Sequence, residues 1–417
     1  MVQANDGKNG HLRRITTGVD SLDEVLDGGI PQYSIVFIAG PPGTGKTVLC
    51  QQALFANARA NGTSLYLGTL SEPVFKMVRY VQEFSFFQAS MVGTDVVYGD
   101  LGTALSRDGG PGVLAEMDRL IKEHRPSFLV IDSFKVIREH FEDEREFRAF
   151  TSDLMVRLAA WEVTAFLVGE YSHQDIWDQA EFGIADGILY LYGTEEPHTQ
   201  KRYLRVMKMR GTGYFSGEHF FEISRNGIDV FPRMNPNVIG AYEIPNGRLG
   251  SAMEGLDEMM GGGLQNGTSL LIIGGAGSGK TLAALSFVVQ QARLGKPSLF
   301  VSFEEDRAQL GRNMRAFDWD LDALAADNLL AIFHVSPSEL ELDRHAMLIK
   351  KQSDEVGACC VVIDTITAME ASVHIPGKYQ SYLWAIVDYF KRSGVTVIMT
   401  YESAAQTELP ESGINHI

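Results

Sequence analysis

The sequence predicts an α/β architecture duplicated in tandem: two copies of one domain, each a mostly parallel central sheet flanked by helices. Two observations predict it. Residues 22–47, LDEVLDGGIPQYSIVFIAGPPGTGKT, return as residues 256–281, LDEMMGGGLQNGTSLLIIGGAGSGKT, at an offset of 234, so that Leu22 matches Leu256, Asp23 matches Asp257 and Gly40 matches Gly274. SLYLGTLSEP (64–73) pairs with SLFVSFEEDR (298–307) at the same spacing, and SFLVIDS (127–133) with CCVVIDT (359–365) and AFLVGEY (165–171) with VIMTYES (397–403) at 232. A period this long marks a duplicated domain, not a solenoid repeat. The second observation is the rhythm inside each copy. Short runs rich in Val, Ile, Leu and Phe alternate with amphipathic stretches, the pattern of β-α-β units on a parallel sheet.

Taken in order, SIVFIAG (34–40) is a buried strand stopped by glycine, and TVLCQQALFANARANG (47–62) is a helix ending in Asn-Gly. GVLAEMDRLIKEH (112–124) places Leu114, Met117, Leu120 and Ile121 on one helical face. FLVID and TAFLVGE are strands again. GILYLYG (187–193), KRYLRVMKMRG (201–211) and HFFEISRNGIDVFP (219–232) read as antiparallel edge strands. The run EHFEDERE (139–146) reads as a solvated helical face. The stretch RMNPNVIGAYEIPNGRLG (233–250) has scattered Pro, Asn and Gly and no apolar period. The expected division is therefore a first domain over 1–234, a linker over 235–250 and a second domain over 251–417.

Composition narrows the classes. A chain of 417 residues with 45% apolar and 21% charged residues has ordinary globular composition and material for more than one core. Lys and Arg number 36 against 53 Asp and Glu, and the net charge of −17 disfavours non-specific attraction to a polyphosphate backbone. DNA is accordingly not an expected partner, although a local basic groove is compatible with that balance. The three cysteines, Cys50, Cys359 and Cys360, are too few for a disulfide framework and suit a reducing cytoplasm. Cys359 and Cys360 are adjacent in a strand and read as core. The histidines show no metal-ligand spacing, and His345 and His374 read as surface residues. No run of 18 apolar residues is present and the first residues lack an apolar signal core, so neither a membrane span nor a secretory leader is expected.

The chemistry lies in GPPGTGKT (40–47) and GGAGSGKT (274–281), both G-x-x-x-x-G-K-[ST] between an apolar strand and a helix. Glycines let successive backbone N–H groups turn inward onto phosphate oxygens, and the helix N-terminus adds its partial positive charge. The expected nucleotide-binding residues are Gly43, Thr44, Gly45, Lys46 and Thr47 in one copy and Gly277, Ser278, Gly279, Lys280 and Thr281 in the other. The lysines reach the β/γ-phosphates, and Thr47 and Thr281 offer a hydroxyl to Mg²⁺. Asp132 and Asp364 each end an apolar strand, the position of the carboxylate that stands beside the metal. ATP and Mg²⁺ are thus the expected ligands. Glu304 and Glu305, read as lying at a strand end and facing opposite ways, are candidates to polarise the attacking water. Copy one has Leu70 and Ser71 in their register and Glu72 one residue later. Either a local shift makes Glu72 the base, or that copy binds ATP and hydrolyses it poorly. Glu170 and Glu402 end the next strands, where sensing the γ-phosphate through a water and capping a turn are both open.

With the double P-loop, TGVDSLDEVLDGGIP, the SFEED segment, EFGIADGILYL (181–191) and KMRGTGYFSGEHFFEI (208–223), the sequence resembles the KaiC family of tandem RecA-type ATPases across nearly its whole length. The resemblance implies RecA-like P-loop domains assembled as a homo-oligomer, a hexameric double ring with ATP between neighbouring subunits, and clock or signalling partners. It also implies that Lys208 and Arg210 reach the γ-phosphate bound to the next subunit. Copy one continues past Glu170 to Pro232, whereas the chain ends at Ile417 soon after Glu402, so a second KMRG segment and the final strands are missing. A fragment of a longer protein is the expectation, because an open sheet edge without its cover is unfavourable. The serine/threonine autokinase activity of the family rests on residues beyond SGINHI (412–417) and is expected only of a longer chain.

The reading that follows is an ATP-hydrolysing, ring-forming regulatory protein. Two others stand beside it: a DNA-dependent motor on the same fold, and a nucleotide-gated scaffold that holds ATP without turning it over.

Overall fold

The computed structural model describes residues 12–69, 74–196, 199–234, 245–371, 373 and 377–403. The chain divides into two compact units, Met1–Arg233 and Met234–Ile417.

In the first unit the strands are β1 (Ile35–Gly40), β2 (Ser64–Gly68), β3 (Val96–Asp100), β4 (Phe128–Asp132), β5 (Thr164–Glu170), β6 (Gly187–Glu196), β7 (Thr199–Met209), β8 (Glu218–Ser224) and β9 (Gly227–Phe231). They form one sheet in the order β9-β8-β7-β6-β1-β5-β4-β2-β3. From β6 to β3 every pairing is parallel, whereas β6, β7, β8 and β9 pair antiparallel. The parallel strands are buried on both faces, which is why they read as unbroken apolar runs. Their alternation feeds two cores. Val36 and Ile38 face one side with Leu49, Cys50 and Leu54 of α1 (Lys46–Asn61). Ile35 and Phe37 face the other, against Val113 and Met117 of α2 (Gly102–His124) and Leu154 and Leu158 of α3 (Glu144–Ala160).

The second unit repeats the plan. Its described strands are β10 (Ser269–Gly274), β11 (Ser298–Ser302), β12 (Leu330–His334), β13 (Cys360–Asp364) and β14 (Thr396–Glu402), all parallel, in the order β10-β14-β13-β11-β12. Helix α4 (Lys280–Arg293) covers one face through Ala284, Leu285 and Val288. Helices α5 (Leu342–Val356) and α6 (Lys378–Arg392) cover the other through Ile349, Leu383 and Phe390.

The shared lead-in has a structural reason. Asp23 accepts from the backbone N–H of Thr17 at 2.8 Å, and Asp257 from that of Ser251 at 2.9 Å. Arg14 donates to the carbonyls of Leu26 and Gly29, and Arg248 to those of Met260 and Gly263. In both copies these bonds pin a two-residue ribbon, Arg14–Ile15 on Ile30–Pro31 and Arg248–Leu249 on Leu264–Gln265. Arg248 and Leu249, inside the stretch expected to be linker, thus form part of the second unit.

Several local expectations are corrected. EHFEDERE is not one helical face. A short helix ends at Glu139 and α3 starts at Glu144, with the Asp143 side chain capping it by accepting from Arg145 N at 2.8 Å. Between them Phe141 packs on Phe147 and Phe150, anchoring the break. The helix expected at 112–124 begins a turn and more earlier, at Gly102, and bends at the non-helical Gly109. HFFEISRNGIDVFP is, as expected, antiparallel, and it forms a hairpin of β8 and β9. His345 is buried, because it lies on the face of α5 that carries Ala346 and Ile349 into the core. Its Nδ1 is 2.7 Å from the carbonyl oxygen of Glu341. His374 and SGINHI lie outside the described residues.

Burial holds His345 and the equally buried His219 below the ordinary histidine value of 6.5. His219 Nδ1 also accepts from Arg233 N at 3.0 Å, an interaction that protonation of that nitrogen removes. The unfolded chain therefore takes up these protons at higher pH than the folded one. Stability from this source is fully present above about pH 6.5 and falls on acidification, by up to ~1.4 kcal/mol per pH unit for each ring. Chemical denaturation at stepped pH values is expected to show that loss, and the His219→Gln/His345→Gln protein is expected to lack it.

Candidate functional site

Each P-loop grows out of a parallel strand, buried in the first unit and half-buried in the second, and turns into a helix through left-handed glycines. Gly43 and Gly45 have φ of 75° and 94°, and Gly277 and Gly279 have φ of 71° and 87°. At Gly45 the left-handed backbone strains any other residue, and a Cβ there would also lie 2.7 Å from Ile223 Cδ1 and push that side chain aside.

In the first unit Lys46 is buried, and its Nζ donates to the carbonyls of Gly40 at 3.0 Å and Pro41 at 2.7 Å. Burial lowers its pKa, opposed by the nearby charges of Glu170 and Asp132. Thr44 Oγ1 closes the loop onto Pro41 O at 2.9 Å. Thr47 Oγ1 donates to Asp132 Oδ2 at 3.0 Å, and Tyr66 OH donates to the same oxygen at 2.6 Å. Burial raises the Asp132 pKa, and these two hydrogen bonds work against the rise. Lys46, Thr47, Tyr66 and Asp132 line a cavity of about 630 Å³ together with Met77, Tyr80 and Glu170. That volume is in the range of pockets that hold a drug-sized ligand, roughly 300–1,000 Å³.

The second unit builds the same triad with other neighbours. Lys280 Nζ donates to Gly275 O at 2.9 Å and pairs with Glu402 Oε2 at 3.2 Å. Thr281 Oγ1 donates to Asp364 Oδ2 at 2.9 Å, and Thr400 Oγ1 donates to Asp364 Oδ1. Burial again raises the aspartate pKa against those bonds. The peptide bond after each aspartate, Asp132–Ser133 and Asp364–Thr365, is cis.

Glu304 and Glu305 are not on a strand end. Strand β11 stops at Ser302, whose hydroxyl takes the backbone N–H of Glu305 at 3.1 Å, and the two glutamates sit in the bend that follows. They still diverge: Glu304 Oε1 accepts from Thr365 at 3.2 Å, and Glu305 Oε1 accepts from Asn313 at 3.0 Å. Burial, then the charge of Asp364, raises the Glu305 pKa. Glu72, with Leu70 and Ser71, lies outside the described residues.

Lys208 and Arg210 are together but not at their own unit's cavity. Lys208 Nζ donates to the carbonyls of Phe182 at 3.2 Å and Gly183 at 3.1 Å. Arg210 donates to Gly183 O at 3.3 Å and lies 3.5 Å from Asp186 Oδ1. Burial, then the charge of Arg210, lowers the Lys208 pKa.

A threonine hydroxyl and a carboxylate side by side at a phosphate loop are the hard oxygen donors Mg²⁺ takes when it keeps waters and phosphate oxygens as its other ligands. The residues present therefore fit that ion. Among the described residues no group of three His, Cys, Asp or Glu side chains is placed to hold a metal by itself, and no helix is long and apolar enough to cross a membrane. Sequence reasoning missed Tyr66 and Thr400. A tyrosine or threonine inside an otherwise apolar strand was the available signal.

Comparison with known proteins agrees with this geometry. The sequence profile of the family described as "ATPase: KaiC" matches residues 15–235 and 249–417. The chain is 25% identical over 413 residues to the circadian clock oscillator protein KaiC of Picosynechococcus sp., covering 95% of this chain and 78% of that protein. It is 26% identical over 407 residues to KaiC of Rippkaea orientalis, covering 93% and 76%. It is 24% identical over 411 residues to KaiC 1 of Synechocystis sp., with the same two coverages.

Glu402 occupies the ammonium of Lys280, the group expected to meet a nucleotide's phosphates. Its side chain is 43% exposed, so the pair contributes at most ~1 kcal/mol. The Glu402→Gln variant is expected to bind a non-hydrolysable ATP analogue at the second site up to about fivefold more tightly. Titration calorimetry in a Lys46→Ala background checks it.

Proposed function

The chain belongs to the KaiC family of ATPases, and on that premise we propose that it is a ring-forming regulatory protein in which each unit binds Mg-ATP and at least the second hydrolyses it. The supporting observation is the duplicated triad, Lys46–Thr47–Asp132 and Lys280–Thr281–Asp364, held by hydrogen bonds of 3.0 and 2.9 Å from threonine to aspartate.

Gly43, Thr44 and Gly45, and Gly277, Ser278 and Gly279, cradle the phosphates with their N–H groups, and Lys46 and Lys280 leave carbonyl partners to meet β- and γ-oxygens. Thr47 with Asp132, and Thr281 with Asp364, would hold Mg²⁺, which would neutralise charge on the β- and γ-phosphates. Glu304 or Glu305 orients and polarises the attacking water, taking its proton on a carboxylate oxygen. Thr365 and Asn313 fix where those carboxylates point. Buried, preorganised donors supply most of the stabilisation. In copy one that base is Glu72, or the unit binds without turnover and serves as a scaffold.

Lys208 and Arg210 form a cationic pair outside their own cavity, which suits delivery to the γ-phosphate of a neighbouring subunit. Such a cation in trans is worth roughly 10³–10⁵ in rate in other NTPases. Residues 1–234 and 251–417 act as the two ATPase domains of a cytoplasmic homohexamer, with nucleotide state biasing the ring conformation. The clock role named for the relatives, and autokinase activity in a longer chain, belong to the same proposal.

Phosphate release from Mg-ATP, with and without single-stranded DNA at fixed salt, is the test. A slow rate indifferent to DNA is expected. The Lys280→Ala protein is expected to lose at least about tenfold, the loss of ~1.4 kcal/mol of transition-state stabilisation. A rate that rises many-fold with DNA makes the protein a nucleic-acid motor. Loss of assembly in Lys46→Ala with turnover intact makes the first unit a scaffold.

A further inference from the structure

The metal-facing aspartate of each unit receives a second hydrogen bond, and the two units take it from opposite sides. In the first unit β4 lies between β2 and β5. Tyr66 on β2 is level with Val130, and Val168 on β5 is level with Asp132. In the second unit β13 lies between β11 and β14. Phe300 on β11 is level with Val362, and Thr400 follows Met399, which is level with Ile363. Tyr66 and Phe300 therefore occupy one equivalent position, and Val168 and Thr400 the other. Each unit has a hydroxyl at one position and a side chain that cannot donate at the other.

We propose that Tyr66 in the first unit and Thr400 in the second are alternative positioning residues for the metal carboxylate, so that what the duplication has kept is a hydrogen bond and not a residue. The proposal rests on the reading of Asp132 and Asp364 as Mg²⁺ carboxylates. Both hydroxyls are buried, Tyr66 at 1% exposure and Thr400 at 0%, and each spends its proton on the aspartate. A carboxylate with a single donor from the P-loop threonine is free to rotate about its Cβ–Cγ bond. A second donor anchored in a neighbouring strand fixes the carboxylate plane. The two solutions differ in one respect. Thr47 and Tyr66 converge on Oδ2 of Asp132, whereas Thr281 and Thr400 divide between Oδ2 and Oδ1 of Asp364. The two sites therefore present a differently constrained carboxylate to the same ion.

The measurement is Mn²⁺ affinity in the presence of a non-hydrolysable ATP analogue, followed by electron paramagnetic resonance on the full chain. A Lys280→Ala background isolates the first site, and a Lys46→Ala background the second. Outer-shell partners of metal ligands are typically worth 10–100-fold in metal affinity, so Tyr66→Phe is expected to weaken Mn²⁺ binding at the first site by about 10–100-fold. Analogue affinity in EDTA is expected to stay unchanged, a split that a merely structural role would not produce. Adding Val168→Thr to Tyr66→Phe moves the donor to the strand the second unit uses and is expected to restore most of the loss. Thr400→Val is expected to weaken Mn²⁺ binding at the second site in the same way, and it tests the idea independently if Tyr66→Phe fails to fold. Metal affinity unchanged in both single variants overturns the proposal. A parent protein that binds the analogue equally well with Mn²⁺ and with EDTA overturns the metal reading beneath it.

Discussion

A carboxylate withdrawn from water at the carboxyl end of a parallel strand must be given hydrogen-bond donors, or it is too costly to keep ionised. Asp132 and Asp364 are such groups, and burial pushes both toward the protonated form. Their donors come from chain segments far apart in sequence, the first turn of the P-loop helix and a neighbouring strand. Meeting that demand brings the aspartate strand into register with one neighbour, the strand on its far side from the P-loop strand in the first unit and the strand between the two in the second. In each unit the phosphate loop then opens beside that carboxylate, which its helix threonine reaches.

Around that constraint the two units share a frame and vary the chemistry. The arginine and aspartate of the lead-in make equivalent bonds in both copies, because they hold the same backbone turns. The P-loop lysines differ. Lys46 is satisfied by two carbonyls, whereas Lys280 donates to one carbonyl and to the Glu402 carboxylate. Glutamates near Asp364 occur at 304 and 305, and copy one carries Leu70 and Ser71 in that register. One fold thus carries two phosphate-loop sites with different side chains around them, since a fold does not by itself fix the chemistry of its site.

The strands were legible because a parallel strand buried on both faces is a continuous apolar run, and Ile35–Gly40 or Cys360–Asp364 has no other way to look. The P-loop was legible because its geometry is local, set by glycine spacing and the residue that opens the helix. His345 was misread because a polar residue on an amphipathic helix shows its face only once the helix is docked. EHFEDERE was misread because Asp143 competes for the helix start through a capping bond that charge counting does not see.

By itself the sequence determined the duplication, the α/β alternation, the phosphate loops and the aspartates at the strand ends, since all of these follow from local period and spacing. Only the tertiary structure decided which donors meet those aspartates, that Glu304 and Glu305 leave the strand before they diverge, and that Lys208 and Arg210 sit away from their own cavity. The physical reason is that each depends on a partner brought close by sheet order and register, and sheet order joins residues that no local pattern relates.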